Sequence, residues 1–157
     1  MRIGLVSDTH DNEPLVRVAA AFFRERQVDL VLHLGDVCEP ETLALLEGLP
    51  VQAVRGNNDL GHALPDSWQS TLAGVEVFAA HGHVPAPLRA AIGRVGVALH
   101  GHTHKRRCET IDGTLVVNPG ALHRAQVKSV ALLELPARRV DFFAVDEAGA
   151  RPMGASP

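Results

Sequence analysis

The chain has 157 residues, 46% hydrophobic and 21% charged, with 15 basic side chains set against 18 acidic ones. That length suits one domain burying roughly 68–70% of the surface its unfolded chain exposes, so no disulfide scaffold is needed. Only Lys105-Arg106-Arg107 forms a basic cluster, which argues against a nucleic-acid partner, and no apolar run approaches the ~18 residues of a membrane span.

Residues 1–7 are an apolar run closed by polar residues and predict a buried first strand, with no secretory signal ahead of it. Over 13–26, Leu15, Val18, Ala19, Phe22 and Phe23 recur at helical spacing and predict an amphipathic helix. Residues 28–34 predict a second strand closed by Gly35-Asp36, 39–47 a second helix capped by Gly48, and 51–54 a third strand ending at Gly56-Asn57-Asn58-Asp59. This alternation predicts a parallel α/β arrangement whose ligand sites lie in the loops after the strands. The second half is richer in strands. Residues 68–72 and 75–80 flank Gly74 as a hairpin, followed by a short helix over 87–92 and a strand over 95–99. Residues 107–111 and 114–117 flank Asp112-Gly113, a strong hairpin signal, and strands over 127–135 and 139–145 complete the pattern. Residues 1–146 are expected to form one domain and 147–157, rich in Gly, Ala and Pro, a disordered tail. Two cysteines, Cys38 and Cys108, fit a reduced, cytoplasmic compartment.

Histidine occurs 9 times and tyrosine not at all. The histidines cluster with other polar residues after strand upon strand: Ser7-Asp8-Thr9-His10, Gly35-Asp36, Gly56-Asn57-Asn58-Asp59, His81-Gly82-His83, His100-Gly101-His102-Thr103-His104 and Asn118-Pro119-Gly120. Asp-x-His or Gly-Asp alone means little, but Gly-His-Thr-His is expected by chance only about 0.002 times in this composition. In extended backbone, residues i and i+2 project to one side, so Asp8 with His10 and His102 with His104 are expected to present donors in pairs. Glycine beside the donors lets the backbone turn and approach a crowded centre. Imidazole, carboxylate and amide suit Mn²⁺, Fe, Zn²⁺, Co²⁺ or Ni²⁺ better than Ca²⁺ or Cu(I). Seven such donors exceed one tetrahedral zinc and suit two ions about 3.5–4 Å apart sharing a carboxylate, a clamp for phosphoryl transfer.

These motifs, in this order, resemble the calcineurin-like metallophosphoesterase superfamily: Asp8-Thr-His10, Gly35-Asp36, Gly56-Asn57-Asn58-Asp59, His81 and Gly101-His102-Thr-His104. The short length and Asn118-Pro119-Gly120 are similar to its small bacterial and archaeal phosphodiesterase branch. The resemblance covers about residues 1–145. It implies a four-layer α/β/β/α sandwich of two packed mixed sheets and two divalent transition-metal ions, with manganese favoured. It implies Asp8, His10, Asp36 and His104 around one ion and Asp36, Asn57, His81 and His102 around the other, with Asp36 shared. A metal-acidified hydroxide would then attack a small phosphoester, preferably a diester. Many members have His after the motif asparagine, where Asn58 stands here; an amide can contact a phosphoryl oxygen but delivers no proton. Asn58 and His83 are the candidate catalytic side chains, with His123 as a further source of the proton. Ala121 replaces a serine common in the small branch.

Other residues carry blander expectations. His33 and His100 are expected in the core or supporting a ligand, His62 in a solvated loop, Cys38 as a buried thiol and Trp68 capping the core. Asp59 is expected to orient its neighbours, and Lys105-Arg106-Arg107 to be a solvated face with phosphate steering the lesser reading. Two alternative functions remain: a non-catalytic interaction scaffold of the same fold, as in a retromer subunit, and a phosphomonoester or nucleotide phosphatase. A homo-oligomer is left open.

Overall fold

The computed structural model describes residues 1–61 and 63–154. Alternation along β1 (Arg2–Val6) divides its side chains between two cores. Ile3 and Leu5 face a second sheet, whereas Val6 faces the first helix, α1 (Glu13–Glu25). Gly4 shares the helix face: a Cβ there would lie 2.8 Å from the Phe23 ring, so the glycine is what lets that ring sit on the strand.

The strands β1, β2 (Leu30–His33) and β3 (Val51–Ala53) are parallel neighbours, linked by α1 and α2 (Pro40–Ala44). β9 (Ser129–Glu134), β10 (Arg139–Asp146) and β11 (Gly149–Pro152) extend that sheet antiparallel, giving the order β11-β10-β9-β1-β2-β3. The second sheet has the order β4-β5-β6-β8-β7, from β4 (Ser67–Leu72), β5 (Val75–Ala80), β6 (Val97–Leu99), β7 (Arg107–Ile111) and β8 (Thr114–Asn118). β5, β6 and β8 run parallel, and α3 (Pro85–Ala91) connects β5 to β6.

Three apolar clusters hold these layers together. One lies between the sheets and includes Ile3, Leu5, Leu32, Val77, Leu99 and Val117, with Trp68 packed against it. A second joins the first sheet to α1, including Val6, Phe23, Val31 and Phe143, and a third joins the second sheet to α3 through Phe78, Ala80, Leu88 and Ala98. The molecule is a four-layer α/β/β/α sandwich of two mixed sheets. Among the described residues no helix is long and apolar enough to cross a membrane.

The two-residue hairpins of the second sheet use left-handed turns. Asp112 and Gly113 have φ of 48° and 80°, Ala73 and Gly74 of 47° and 78°, matching the twist of the flanking strands. The expected disordered tail is corrected in part, because Gly149–Pro152 pairs with β10 as an edge strand. Its residues give no strand signal, since pairing there is by backbone and Pro152 is tolerated at an edge. Residues 155–157 and His62 lie outside the described residues.

Gly4→Ala should lower stability by about 1–3 kcal/mol, because the new methyl overpacks against the buried Phe23 ring. Urea unfolding measures it; an unchanged midpoint would contradict this account of the β1–α1 contact.

Candidate metal centre

The loops after β1 and β2 are knitted by backbone bonds from Asp8 N–H to the Gly35 carbonyl (3.0 Å) and from His10 N–H to the Asp36 carbonyl (3.1 Å). Gly101 N–H likewise donates to the His81 carbonyl at 3.0 Å, joining the loops after β5 and β6. Two bonds then cross between the sheets. His81 Nδ1 donates to the Leu34 carbonyl at 2.7 Å, and His102 N–H donates to Asp8 Oδ2 at 3.1 Å. The strand ends of both sheets therefore meet at one place.

Asp8 is fully buried at the centre of it. Its Oδ2 also accepts from Ser7 Oγ at 2.5 Å, but its Oδ1 has no hydrogen-bond partner and lies 3.1 Å from His104 Nε2 and 3.9 Å from His81 Nε2. Asp36 Oδ2 lies 3.4 Å from His10 Nε2 and 3.5 Å from His81 Nε2. A carbonyl only accepts, so the bond to Leu34 puts the proton of the neutral His81 ring on Nδ1 and its lone pair on Nε2. His10 Nε2 and His81 Nε2 are both buried without hydrogen-bond partners. The ligating atoms of Asp8, His10 and His104 lie within 4.8 Å of one another, as do those of Asp8, Asp36 and His81.

The two carboxylates differ electrostatically. Burial pushes Asp8 above the ordinary carboxylate range, with Ser7 and the His81 and His104 imidazoles opposing it. Burial also works to raise Asp36, but the positive charge of the His81 ring when protonated and two donors from Asn58 overcome it and hold that carboxyl well below the usual range. Those donors are Asn58 N–H to Oδ1 at 2.9 Å and Nδ2 to Oδ2 at 2.7 Å.

A ring of supports fixes these donors. Asp59 accepts from the backbone N–H groups of Asp36 (3.0 Å), Gly56 (2.7 Å) and Cys38 (2.8 Å), which is the orienting role its sequence position suggests. Gly35 N–H donates to His33 Nδ1 at 3.3 Å, so His33 Nε2 carries the proton, 3.1 Å from Thr9 Oγ1, whose hydroxyl donates to the Asp36 carbonyl at 3.3 Å. Asn118 Nδ2 donates to the Gly101 carbonyl at 2.7 Å and to Thr103 Oγ1 at 3.1 Å, bracing the loop that carries His102 and His104. A Cβ on Gly56 would overlap Asp36, and one on Gly101 would overlap Ser7 Oγ, so both glycines serve close approach.

The expected i, i+2 geometry is corrected. Asp8, His10, Asp36, His102 and His104 all have positive φ, between 40° and 65°, so the paired donors sit on left-handed turns. His104 consequently turns to Asp8, while the exposed His102 ring lies 5.2 Å from that of His81. No residue type announces such strain in a sequence.

The remaining candidates are arranged around this centre. Asn57 is exposed in the turn after β3. Asn58, expected at a substrate oxygen, gives an N–H of its amide to Asp36. His83 is exposed, its ring 5.4 Å from His81 and 6.3 Å from His102, and partial burial with those two imidazoles lowers its pKa. The His123 ring stacks 4.7 Å from His10, and Cys38 Sγ lies 3.4 Å from His10 Nδ1, its thiol pushed up to about 11 by burial and neighbouring carboxylates. Ala121 is fully buried, and His100 is buried beside Asn118.

A model of the calcineurin-like phosphoesterase superfamily domain matches residues 1–138. The chain belongs to the calcineurin-like phosphoesterase superfamily. A phosphodiesterase of Methanocaldococcus jannaschii is 35% identical over 138 residues, which span 76% of this chain and 83% of that relative. The solved structure of an archaeal phosphodiesterase superposes with a TM-score of 0.84 at 28% identity, covering 92% of this chain and 99% of its own. Vps29 of Entamoeba histolytica complexed with zinc superposes with a TM-score of 0.77 at 21% identity, covering 98% and 97%, which shows the shared fold. The superfamily hydrolyses small phosphoesters with divalent metals, and the orphaned Asp8, His10 and His81 atoms of this member fit such an ion.

Two predictions follow from the supports. Asp59→Ala strands three backbone N–H groups at about 1–3 kcal/mol for each one left without a partner, and should weaken divalent-metal affinity about 10–100-fold. Calorimetric titration with Mn²⁺ reads it; parent affinity would contradict the bracing role. Burial holds His33 at about 4, against the pull of Asp59 and Asp36, so the folded ring refuses a proton that the unfolded chain accepts near 6.5. The stability it contributes is complete above about pH 6.5 and is lost as pH falls toward 4, amounting to about 2 kcal/mol between pH 7 and 5. His33→Gln should flatten urea-unfolding free energy against pH by that amount; a slope equal to the parent's would contradict it.

Proposed function

We propose that this chain is a phosphodiesterase working with two divalent transition-metal ions, manganese being the favoured one. The observation that carries the reading is the set of orphaned donor atoms: Asp8 Oδ1, His10 Nε2 and His81 Nε2 are buried, partnerless and turned toward Asp36 and His104. Leaving them so would cost several kcal/mol, which a bound cation removes. Asp8, His10, Asp36 and His104 would hold one ion, and Asp36, Asn57, His81 and His102 the other. Such ions supply Lewis-acid charge at the phosphoryl group and lower the pKa of an attacking water.

The chain's own residues keep this geometry fixed. Asn58 holds both oxygens of Asp36 and keeps it ionised. Leu34 fixes the His81 tautomer, and Asn118 holds the His102–His104 loop. Neither Asn58 nor His83 is set up to protonate a leaving group: an amide has no proton to give, and burial with neighbouring imidazoles favours the neutral His83 ring. Good leaving groups are therefore preferred.

Elemental analysis after reconstitution should find two ions per chain, and Asp36→Ala or Asn57→Ala should abolish hydrolysis of bis(4-nitrophenyl) phosphate. One ion per chain, or both variants at the parent rate with matched metal content, overturns the reading; a metal-loaded but inert parent supports the scaffold alternative. The log rate should fall steeply with leaving-group pKa, and Asn58→His should raise alkyl-ester turnover by up to ~10²-fold. A shallow dependence that His83→Ala makes steep would mean that His83 does donate the proton.

A further inference from the structure

His104 belongs to two features at once. Its Nε2 lies beside Asp8 Oδ1, and its ring forms one wall of an open groove of about 420 Å³ that continues along Lys105, Arg106, Arg124 and Gln126. Three cations thus line a cavity that begins at the metal centre.

Among the described residues, none of these three side chains has a carboxylate within 4.0 Å. Of the other twelve basic side chains, six stand in ion pairs, among them Arg2 with Glu134, Arg55 with Asp66, Arg107 with Glu109 and Arg151 with Asp146. Unpaired cations gathered in one groove of a chain with net charge −3 are a local arrangement, since the molecule as a whole is acidic. Arg106 is held by groups that leave its charge intact. Its Nη1 lies 3.1 Å from Met153 Sδ and its Cζ 5.9 Å from the Phe142 ring centroid. Gly120, at a left-handed φ of 88°, lets Ser129 Oγ and the Arg106 stem pack beside it: a Cβ there would overlap Ser129 Oγ and meet Arg106 Cγ at 3.1 Å. The Asn118-Pro119-Gly120 motif therefore has two uses: Asn118 braces the histidine loop, and Gly120 admits the arginine beside it. Arg124 stands on a left-handed φ of 49°, a conformation of the kind held at ligand sites.

We propose that this groove is a substrate subsite for a second phosphate, so that the preferred substrate is a phosphodiester carrying another phosphate on the arm that lies along Lys105, Arg106 and Arg124. This rests on the phosphodiesterase reading above and specifies its substrate class. Guanidinium groups bind phosphate oxygens in pairs and lysine adds a mobile point charge, so the three suit one phosphate group. They are too few for the footprint of a long nucleic acid.

The test compares two substrates with the same leaving group: thymidine 5′-(4-nitrophenyl phosphate) and the same compound bearing a 3′-phosphate. The reconstituted parent should favour the 3′-phosphorylated ester about 10-fold in kcat/KM, mainly through KM, and high salt should erode that preference. Lys105→Ala/Arg106→Ala/Arg124→Ala should bring the ratio to within about twofold of unity while leaving bis(4-nitrophenyl) phosphate hydrolysis at the parent rate. Equal kcat/KM for the two esters in the parent, or a preference that survives in the triple variant, overturns the subsite. Loss of bis(4-nitrophenyl) phosphate activity in the parent is instead a failure of the phosphodiesterase reading. The groove is then judged by calorimetry, in which metal-loaded parent should bind thymidine 3′,5′-bisphosphate about 10-fold tighter than thymidine 5′-phosphate and the triple variant should bind both equally. Equal binding by the parent overturns it there as well.

Discussion

The carboxylate of Asp8 has two oxygens with opposite fates, and most of the centre is organised around that difference. One is satisfied from both halves of the sandwich, by Ser7 on the β1 loop and by the His102 N–H on the β6 loop. The other is buried beside the His81 and His104 imidazole nitrogens and, among the described residues, accepts no hydrogen bond. An ionised oxygen stripped of water in this way is costly unless a positive charge stands beside it. The neighbouring histidines add lone pairs of their own, since His81 has its proton committed to Leu34 and His10 Nε2 is likewise unpartnered. Several electron-pair donors facing one another without protons to share is an arrangement that a divalent cation resolves.

Holding that arrangement requires backbone conformations the chain would otherwise avoid. Five of the seven candidate ligands sit at positive φ. At about 1–3 kcal/mol for each such residue, the strain is large beside the whole stability of a domain, and the packed layers have to offset it. The division of labour is visible in sequence: the apolar clusters draw on the strands and helices, while the polar donors occupy the residues just beyond the strand ends. Asp59, His33, Asn118 and two closely packed glycines then tie those loops to the rigid sheets, so the donors stay in place before any ligand arrives.

What was legible beforehand follows from which physical signals are local. Alternation in β1, the helical spacing of Leu15, Phe22 and Phe23, and the Asp112-Gly113 turn are local, and each element formed where it was expected. The strand-end motifs were legible because glycine, aspartate and histidine recur there far beyond chance. The bond geometry was not. The i, i+2 spacing of Asp8 and His10 suggests extended backbone, and the left-handed turns that replace it depend on contacts with loops more than 25 residues away, such as His10 N–H to the Asp36 carbonyl. Asn58 looked like a substrate contact because its position in the motif is all a sequence displays; its bonds to Asp36 depend on how β2 and β3 are paired. The edge strand β11 was hidden by its Gly, Ala and Pro content.

The measurement that bears most directly on this account is anomalous diffraction at the manganese edge from crystals of the reconstituted protein. Two peaks about 3.5–4 Å apart, with Asp36 between them and Asp8 Oδ1, His10 Nε2 and His81 Nε2 each directed at one of them, are the predicted result. A single peak, or manganese bound elsewhere while those three atoms keep no ligand, would contradict it.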